Sequence, residues 1–383
     1  MAAPIVARMS PRLLIGWTLL AKFGVLVIGI AAFAAATGNA PWLLEPWHRW
    51  DAPHYTDIAV WGYMATDPGT LSVAGYEQAY PGDLDLYIIF FPLFPWLVAG
   101  VNALIDAPIL AAFAVSTVAS LFVAPMLYRL VAEDCGDRIG LWAAGFLLIF
   151  PTAYFLHIGY TESLFLALAF GSMWLARIDR WWAAGLVGGL AALTRINGLV
   201  LIPTLMVEAY LQWRRRGRFE VRWLSIGLVA IGFGVYLGLN LAVYGDPFAF
   251  SEVQRGHWFK DLSPPWEGIS GIVGWIGNSD ADSAFMLGWM ELLFVALGLL
   301  STIATALWLR PTWAIWMAGN WLLIVSTGFV MSVPRYSLVL FGIVVWAAII
   351  AVRWRAAGWL LVAASAGAMA YFAWRFGAGQ WAF

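Results

Sequence analysis

The feature that most constrains this chain is a succession of apolar runs separated by short polar connections. Of its 383 residues, 62% are hydrophobic and 11% are charged, and the mean hydropathy is +0.80. Soluble domains carry roughly 25% charged residues, so this chain has too little polar surface to cover itself in water. Lipid has to cover it. The sequence therefore predicts an all-α integral membrane protein with a single transmembrane domain over residues 1–383.

The first apolar run, from Leu13 to Ala36, follows Arg8 and Arg12 and superficially resembles a signal peptide. Secretory apolar cores have roughly 7–15 residues, whereas a helix needs about 20 to cross the hydrocarbon core. We therefore expect an uncleaved first helix with a cytoplasmic N-terminus. With it, the bundle has about eleven transmembrane helices. The further spans are expected over 109–130, 139–156, 163–178, 181–194, 196–213, 223–244, 286–309, 313–331, 336–352 and 356–374.

Positive charges indicate how these spans are oriented, because short loops rich in Lys and Arg stay in the cytoplasm. Five arginines crowd the connection 214–222, and other basic connections lie at 129–138, 177–180 and 353–355. These basic connections all lie on one side of the membrane only if segment 87–105 does not cross it fully. Prolines at 92 and 95 favour a re-entrant or interface-lying pair of helices there.

The outer face then holds two long segments, 37–108 with interfacial helices and 245–285, together with short turns. Most of the acids and all four histidines lie on this face. Acid-base chemistry is therefore expected on the extracytoplasmic side. No internal repeat is evident, which disfavours a transporter built from inverted repeats.

Charge and cysteine content exclude several function classes. The net charge of −1 and the pI near 6.4 give no indication of nucleic-acid binding. Cys135 is the single cysteine, so neither an intrachain disulfide nor a cysteine metal cluster can form. Asp83 and Asp85 have a spacing that a metal-nucleotide site could use, but two acids in a wet loop are commonplace. No metal or other cofactor is expected.

A dense polar motif opens the first outer segment, Trp47-His48-Arg49-Trp50-Asp51-Ala52-Pro53-His54-Tyr55, and Asp57 follows it. If Pro53 starts a helix over 53–63, His54 and Asp57 share a face, and Asp51 lies where the helix dipole favours an ionised carboxylate. An ionised aspartate is what a general base requires, with helix capping as the alternative role. His48 and His54 could orient Asp51 or bind phosphate, and Arg49 could anchor to lipid headgroups.

Three further polar insertions interrupt the apolar sequence near the outer face, at 157–163, 194–198 and 333–336. Charges at such places are costly unless they pair or serve a site. Glu162 could pair with Arg195 or Arg335. Alternatively, one of these arginines binds a lipid phosphate, for which the guanidinium fork is well shaped.

In the second outer segment, the stretch from Gln254 to Lys260 could form an acceptor lid or a plain connection.

Taken in order, these motifs resemble the PIG-V family, which contains the second mannosyltransferase of GPI-anchor synthesis, and its bacterial relatives. The resemblance covers residues 47–341. It is carried by Trp50-Asp51 with His54-Tyr55 and Ile58-Ala59-Trp61-Gly62-Tyr63, by Phe90-Phe91-Pro92-Leu93-Phe94-Pro95, by Gly159-Tyr160-Thr161-Glu162-Ser163-Leu164-Phe165, by Thr194-Arg195-Ile196-Asn197-Gly198 and by Pro334-Arg335-Tyr336.

This resemblance implies a GT-C glycosyltransferase in a bacterial inner or plasma membrane that transfers mannose, with inversion, from a polyprenyl-phosphate-mannose donor lipid. The acceptor is a hydroxyl of a lipid-linked or other membrane-proximal glycan. Asp51 is the expected base, and Arg195, Arg335 and His54 are the expected donor-phosphate ligands. Ala52 stands where many GT-C enzymes have a second acid, so a second carboxylate remains open. The expected supporting residues are Arg49, Asp57, His157, Glu162, Gln254 and Tyr336.

Two other classes remain as alternatives. A polytopic lipid or solute transporter or flippase, without transferase activity, would place charges near the membrane midplane and break its helices symmetrically. An acyl or phosphoethanolamine transferase would need a nucleophile-histidine set or a metal cluster, and the sequence offers no convincing example.

Overall fold

The structure is a computed structural model that describes residues 11–73 and 75–383, so Arg8 lies outside the described residues. This part of the chain is a helical bundle with one short antiparallel hairpin, β1 (Ser72–Val73) and β2 (Tyr76–Glu77). The helices are α1 (Pro11–Thr37), α2 (Asp51–Trp61), α3 (Leu93–Ile105), α4 (Pro108–Cys135), α5 (Asp137–Leu148), α6 (Glu162–Arg177), α7 (Trp181–Ala192), α8 (Leu201–Arg216), α9 (Gly227–Tyr244), α10 (Ala249–Trp258), α11 (Pro265–Asn278), α12 (Ala281–Ala284), α13 (Met290–Trp308), α14 (Pro311–Val325), α15 (Val333–Tyr336), α16 (Gly342–Arg353) and α17 (Arg355–Gly377).

Within the described residues, five helical segments are long and apolar enough to cross a membrane. They are Arg12–Thr37, Pro108–Cys135, Val221–Tyr244, Ala281–Trp308 and Arg355–Gly377. The pair Val333–Val339 and Gly342–Arg353 qualifies as a sixth, bent by 75°. The prediction of an all-α integral membrane protein is confirmed. A helix lies at every expected span, but several are short, and the count of about eleven crossings stays a prediction.

Segment 87–105 is divided at its prolines, as expected. A 3₁₀ helix over Leu84–Ile89 ends just before Pro92, and α3 begins at Leu93 with Pro95 in its first turn. Proline fits there because the first amides of a helix need no intrahelical partner. How this pair of helices meets the bilayer stays a prediction.

The helix that carries the first-loop motif starts two residues earlier than predicted. α2 begins at Asp51, not at Pro53, and ends at Trp61, after which Gly62 has a φ of +81°. Tyr160 causes the earlier start, because its hydroxyl accepts a hydrogen bond from the Asp51 amide at 3.2 Å and donates one to the Arg49 carbonyl at 2.7 Å. Asp51 is thus the first residue of the helix, where the dipole favours its negative charge.

Opposite ends of the bundle carry different polar groups, and α6 runs between them. Glu162 begins this helix, and Arg177 ends it about 24 Å away, at 1.5 Å per residue. At the Arg177 end, Asp134 pairs with Arg177 at 3.0 Å and with Arg310 at 3.2 Å, and Arg310 also binds Glu208 at 2.7 Å. The ion pairs of this end hold α4, α6, α8 and α14 together, well away from Glu162.

Helices α7 and α9 approach so closely that their glycines touch. A Cβ built on Gly232 would lie 2.0 Å from the Gly189 carbonyl oxygen, which is backbone and cannot move aside. We predict that Gly232→Ala destabilises the protein by about 1–3 kcal/mol through overpacking, measured by chemical unfolding in detergent micelles. Gly238→Ala on the same helix is the control, because nothing lies within 4 Å of its Cβ. Equal stability of the two variants would contradict the close approach.

Candidate active site

Asp51 stands at one end of a chain of charged side chains. Its Oδ2 accepts a hydrogen bond from Arg335 Nη1 at 2.6 Å. Arg335 Nε donates to Glu162 Oε1 at 2.6 Å, and the same Glu162 oxygen accepts from Arg195 Nη1 at 2.7 Å. Residues from α2, α15, α6 and the turn after α7 therefore meet in one network. The predicted pairing of Glu162 is confirmed, and it involves both arginines.

Burial is graded along this network. The Arg335 and Glu162 side chains are each 5% exposed, Arg195 is 16% exposed and Asp51 is 34% exposed. The Arg335 guanidinium also lies 4.6 Å from the centre of the Phe155 ring and 4.7 Å from that of Tyr160. Packed between aromatic rings and two carboxylates, Arg335 is fixed in place. Asp51 is the member of the network most open to a ligand.

A cavity of about 730 Å³ opens beside Asp51. Its volume falls within the range of small-molecule sites, which is roughly 300–1,000 Å³. The polar residues in its lining include Asp51, His54, Asp83, Thr161, Arg195, Asn197, Gln254, His257, Lys260, Asp261, Ser332, Arg335 and Tyr336. Aromatic residues from the same segments and from the end of the chain complete the wall, among them Trp50, Tyr80, Phe90, Trp258 and Trp381.

The charge state of Asp51 suits a base. Burial by itself raises the pKa of a carboxyl, but the charge of Arg335, together with His54, the Arg335 hydrogen bond and Arg195, holds the pKa of Asp51 below its ordinary value. Asp51 is therefore ionised at neutral pH. Burial lowers the pKa of His54, so its imidazole, stacked between Tyr80 and Phe90, is neutral at that pH.

Two cations of the cavity flank one tyrosine. Arg195 lies 5.4 Å and Lys260 lies 5.2 Å from the centre of the Tyr336 ring. The Lys260 amine also donates to the Tyr336 hydroxyl at a long distance of 3.4 Å. Within the described chain, Arg195 uses only Nη1 for hydrogen bonds, to Glu162 and to Thr161. Both cations thus keep donors available for an anion.

The structure brings six of the predicted site residues to the cavity wall: Asp51, His54, Arg195, Gln254, Arg335 and Tyr336. Glu162 lies just behind them and joins the two arginines. Three others lie elsewhere. Arg49 contacts the Phe33 ring, Asp57 accepts hydrogen bonds from Tyr76 and Tyr87, and His157 is fully buried with its carbonyl bound by Lys22. His54 and Asp57 both contact Tyr87, but only His54 lines the cavity.

Two residues beside the site were not assigned a role from sequence. Lys260 ends the polar stretch that begins at Gln254, and only the fold shows that it meets Tyr336. Glu291 is a buried acid inside the apolar span Ala281–Trp308. An ionisable group in such a span is by default a candidate functional residue, so its position in the sequence was a usable signal.

Parts of the sequence are similar to known mannosyltransferases. Residues 91–237 match the family described as dolichyl-phosphate-mannose-protein mannosyltransferase. GPI alpha-1,6-mannosyltransferase 2 of Mus musculus is 32% identical over 187 residues, which are 45% of this chain and 34% of that protein. The human protein of the same name is 31% identical over 177 residues, 43% of this chain and 32% of that protein.

The fold is similar to that of a solved membrane protein. ArnT from Cupriavidus metallidurans, solved with bound undecaprenyl phosphate, superposes with a TM-score of 0.51 at 16% identity, covering 87% of this chain and 60% of that one. The chain is thus similar in sequence to part of GPI alpha-1,6-mannosyltransferase 2 and similar in fold to ArnT. It spans about a third of the length of the curated relatives it matches, and the family match begins after Asp51 and ends before Arg335.

The buried carboxyl of Asp57 makes stability depend on pH. Burial raises its pKa to about 6, against the hydrogen bonds from Tyr76 and Tyr87, which lower it. The carboxyl therefore binds a proton more tightly in the folded state than in the unfolded state, where the pKa of an Asp is near 4. As a result, Asp57 favours folding more as the pH falls from 7.5 to 5.

We predict that Asp57→Asn removes this dependence. Between pH 5 and pH 7.5 the wild type should lose about 1 kcal/mol of unfolding free energy relative to the variant. Chemical unfolding in detergent micelles at the two pH values measures it. Glu77→Gln, at an exposed acid of the hairpin, is the control. A difference that stays constant with pH would show that Asp57 does not titrate in this range.

Proposed function

We propose that this protein is an inverting mannosyltransferase that moves mannose from a polyprenyl-phosphate-mannose donor to a hydroxyl of a membrane-proximal acceptor. The observation that carries the proposal is the pairing of the half-exposed Asp51 with Arg335 at the wall of a cavity that also presents Arg195 and Lys260. A base and phosphate-binding cations in one cavity are what this transfer requires.

Asp51 is the base. Arg335 holds one carboxylate oxygen, Oδ2, which leaves Oδ1 for the acceptor. As the acceptor oxygen forms its bond to the anomeric carbon, Asp51 takes the hydroxyl proton. The bond from that carbon to the phosphate oxygen breaks with both electrons going to the phosphate, and attack from the opposite face inverts the centre.

The cations for the leaving phosphate differ from the set expected from sequence. Arg335 is more deeply buried than Arg195 and pairs with both Asp51 and Glu162, so we assign it to orienting and ionising the base. Arg195 and Lys260, with donors to spare beside Tyr336, are proposed to stabilise the charge that grows on the phosphate. His54, neutral in its aromatic stack, is proposed to contribute a hydrogen bond to the same group.

The cavity is proposed to open on the extracytoplasmic side of the membrane. Arginines concentrate at the other end of the bundle, around Arg177, Arg310 and the connection 214–222, and positive charge stays in the cytoplasm. The apolar lining contributed by Leu323 and Ile324 suits the first part of a lipid chain. A lipid-linked donor is supported by the description of the matched family, dolichyl-phosphate-mannose-protein mannosyltransferase, and by the undecaprenyl phosphate bound to ArnT.

Replacing the proposed base tests the function directly. With purified protein, polyprenyl phosphate mannose and membrane lipid extract as the acceptor source, Asp51→Asn should lower the transfer rate by ~10²–10⁴-fold, because the amide cannot take the proton. Asp106→Asn, an exposed acid after α3, is the matched control and should retain wild-type activity. Full transfer by Asp51→Asn would remove that residue from the base role. Movement of unaltered lipid without any transfer would instead favour a flippase.

A second prediction concerns donor binding. Lys260→Gln should raise the donor KM by roughly 10-fold or more, because a charge-assisted hydrogen bond to phosphate contributes about 1.5–3 kcal/mol. Initial rates over a range of donor concentrations measure this value. The control is Arg255→Gln, since Arg255 pairs with Asp261 at 2.6 Å, is 66% exposed and does not line the cavity. Equal KM values for both variants would exclude Lys260 from the phosphate site.

A further inference from the structure

An acid outside the cavity is built against the segment that carries Arg335. Glu291 lies in the first turn of α13, directly after a π-helical turn at Phe285–Trp289, and is completely buried. Its Oε1 accepts a hydrogen bond from the Ser332 amide and its Oε2 accepts one from the Val333 amide, each at 2.7 Å. Both carboxylate oxygens are therefore used on two consecutive backbone groups.

The segment that Glu291 holds needs such an anchor. α15 has only four residues, and it forms with the next turn one arm of a chain bent by 75° against α16. Ser332, just before it, has a φ of +68°, a conformation that non-glycine residues rarely adopt. The first amides of a helix have no intrahelical partner, and Glu291 supplies acceptors for two of them. Arg335 follows Val333 by two residues.

A carboxylate in this place is costly unless it serves a purpose. Among the described residues no salt bridge to Glu291 is formed, although the charge of Lys260 acts on it, and the surrounding span is apolar. A neutral glutamine of the same size would avoid the charge, but it has a single acceptor oxygen. Its NH2 group would face the second backbone N–H, so that two donors would meet. The acid is thus matched to holding Ser332 and Val333 together.

Building on the proposed function, we propose that Glu291 is a positioning residue that acts through Arg335. By fixing the amides of Ser332 and Val333 at the start of α15, it sets where the Arg335 guanidinium meets Asp51 and Glu162. Its effect on transfer runs through the orientation and charge of Asp51, and Glu291 itself does not touch the substrate. The line of contact runs from α13 through α15 to the start of α2.

Kinetics of Glu291→Gln separate positioning from plain stability. We expect kcat to fall roughly 10- to 100-fold, since small misplacement of a reacting group has effects of this size, with the donor KM changed by less than about threefold. Thr305→Val is the matched control: it lies on the same helix and loses the hydrogen bond from Trp346 at 3.2 Å, but it is remote from α15. Thr305→Val should lower stability and leave kcat unchanged.

The pH profile gives a readout that a merely structural role would not move. The charged and titratable groups around Asp51 are Arg335, Glu162, Arg195, His54, Tyr55, Tyr80, Tyr160, Lys260 and Tyr336. Weaker contact with Arg335 removes part of the effect that lowers the pKa of Asp51. The acid limb of kcat/KM should therefore move to higher pH by about one unit in Glu291→Gln, and stay in place in Thr305→Val.

A double-mutant cycle tests whether the effect passes through Arg335. If it does, Glu291→Gln should reduce kcat far less in an Arg335→Lys background than in wild type, because the contact that Glu291 aligns is already lost. The proposal would be overturned if the kcat effects of the two substitutions simply multiplied and the acid limb of kcat/KM did not move in Glu291→Gln. Glu291 would then be a structural residue.

Two measurements do not depend on transfer activity, so they keep this inference separate from the proposed function. Hydrogen exchange at the amides of Ser332 and Val333 should rise in Glu291→Gln and not in Thr305→Val. Arg335 should also react faster with a dicarbonyl reagent, followed by mass spectrometry. An Arg335 as protected in Glu291→Gln as in wild type would overturn the positioning role, whatever the wild-type protein transfers. If the wild-type protein showed no transferase activity but Arg335 still reacted faster in Glu291→Gln, only the proposed function would fail.

Discussion

The site depends on an alternating set of buried charges, Asp51, Arg335, Glu162 and Arg195. Each cation lies between acids or beside one, so the set is neutral as a whole. Losing one member of a buried pair costs about 3–5 kcal/mol, because the remaining charge has no partner and no water. The four residues therefore have to stay together. Since they come from four separate segments, this requirement also fixes how α2, α6, α7 and α15 meet at the cavity.

Lipid explains why the irregular backbone is concentrated at this place. A bilayer offers no hydrogen bonds, so breaks in helices are tolerated only where protein or a cavity satisfies the freed groups. Here the breaks are the turn before α2, the turn before α6 and the short helix α15. Tyr160 satisfies the first of these turns and Glu291 satisfies the last. The same two residues therefore bind the backbone of the segments that carry Asp51 and Arg335.

Much of this organisation was predictable from sequence, for identifiable reasons. Apolar runs predicted helices at each expected span because burial in lipid leaves little choice of structure. The polar insertions around Asp51, Glu162, Arg195 and Arg335 stood out because charge in apolar sequence is costly. The start of α2 was predicted two residues late, since proline at 53 was taken as its first residue, whereas a hydrogen bond to the distant Tyr160 determines the start.

The sequence by itself determined that the chain is helical and lies in a membrane. Those properties follow from local composition. Only the tertiary structure decided which charges pair, that Arg335 binds Asp51 while Arg195 and Lys260 flank Tyr336, and that Asp57 and His157 lie outside the cavity. Pairing depends on distances between residues up to 284 positions apart, and those distances are set by how the helices pack.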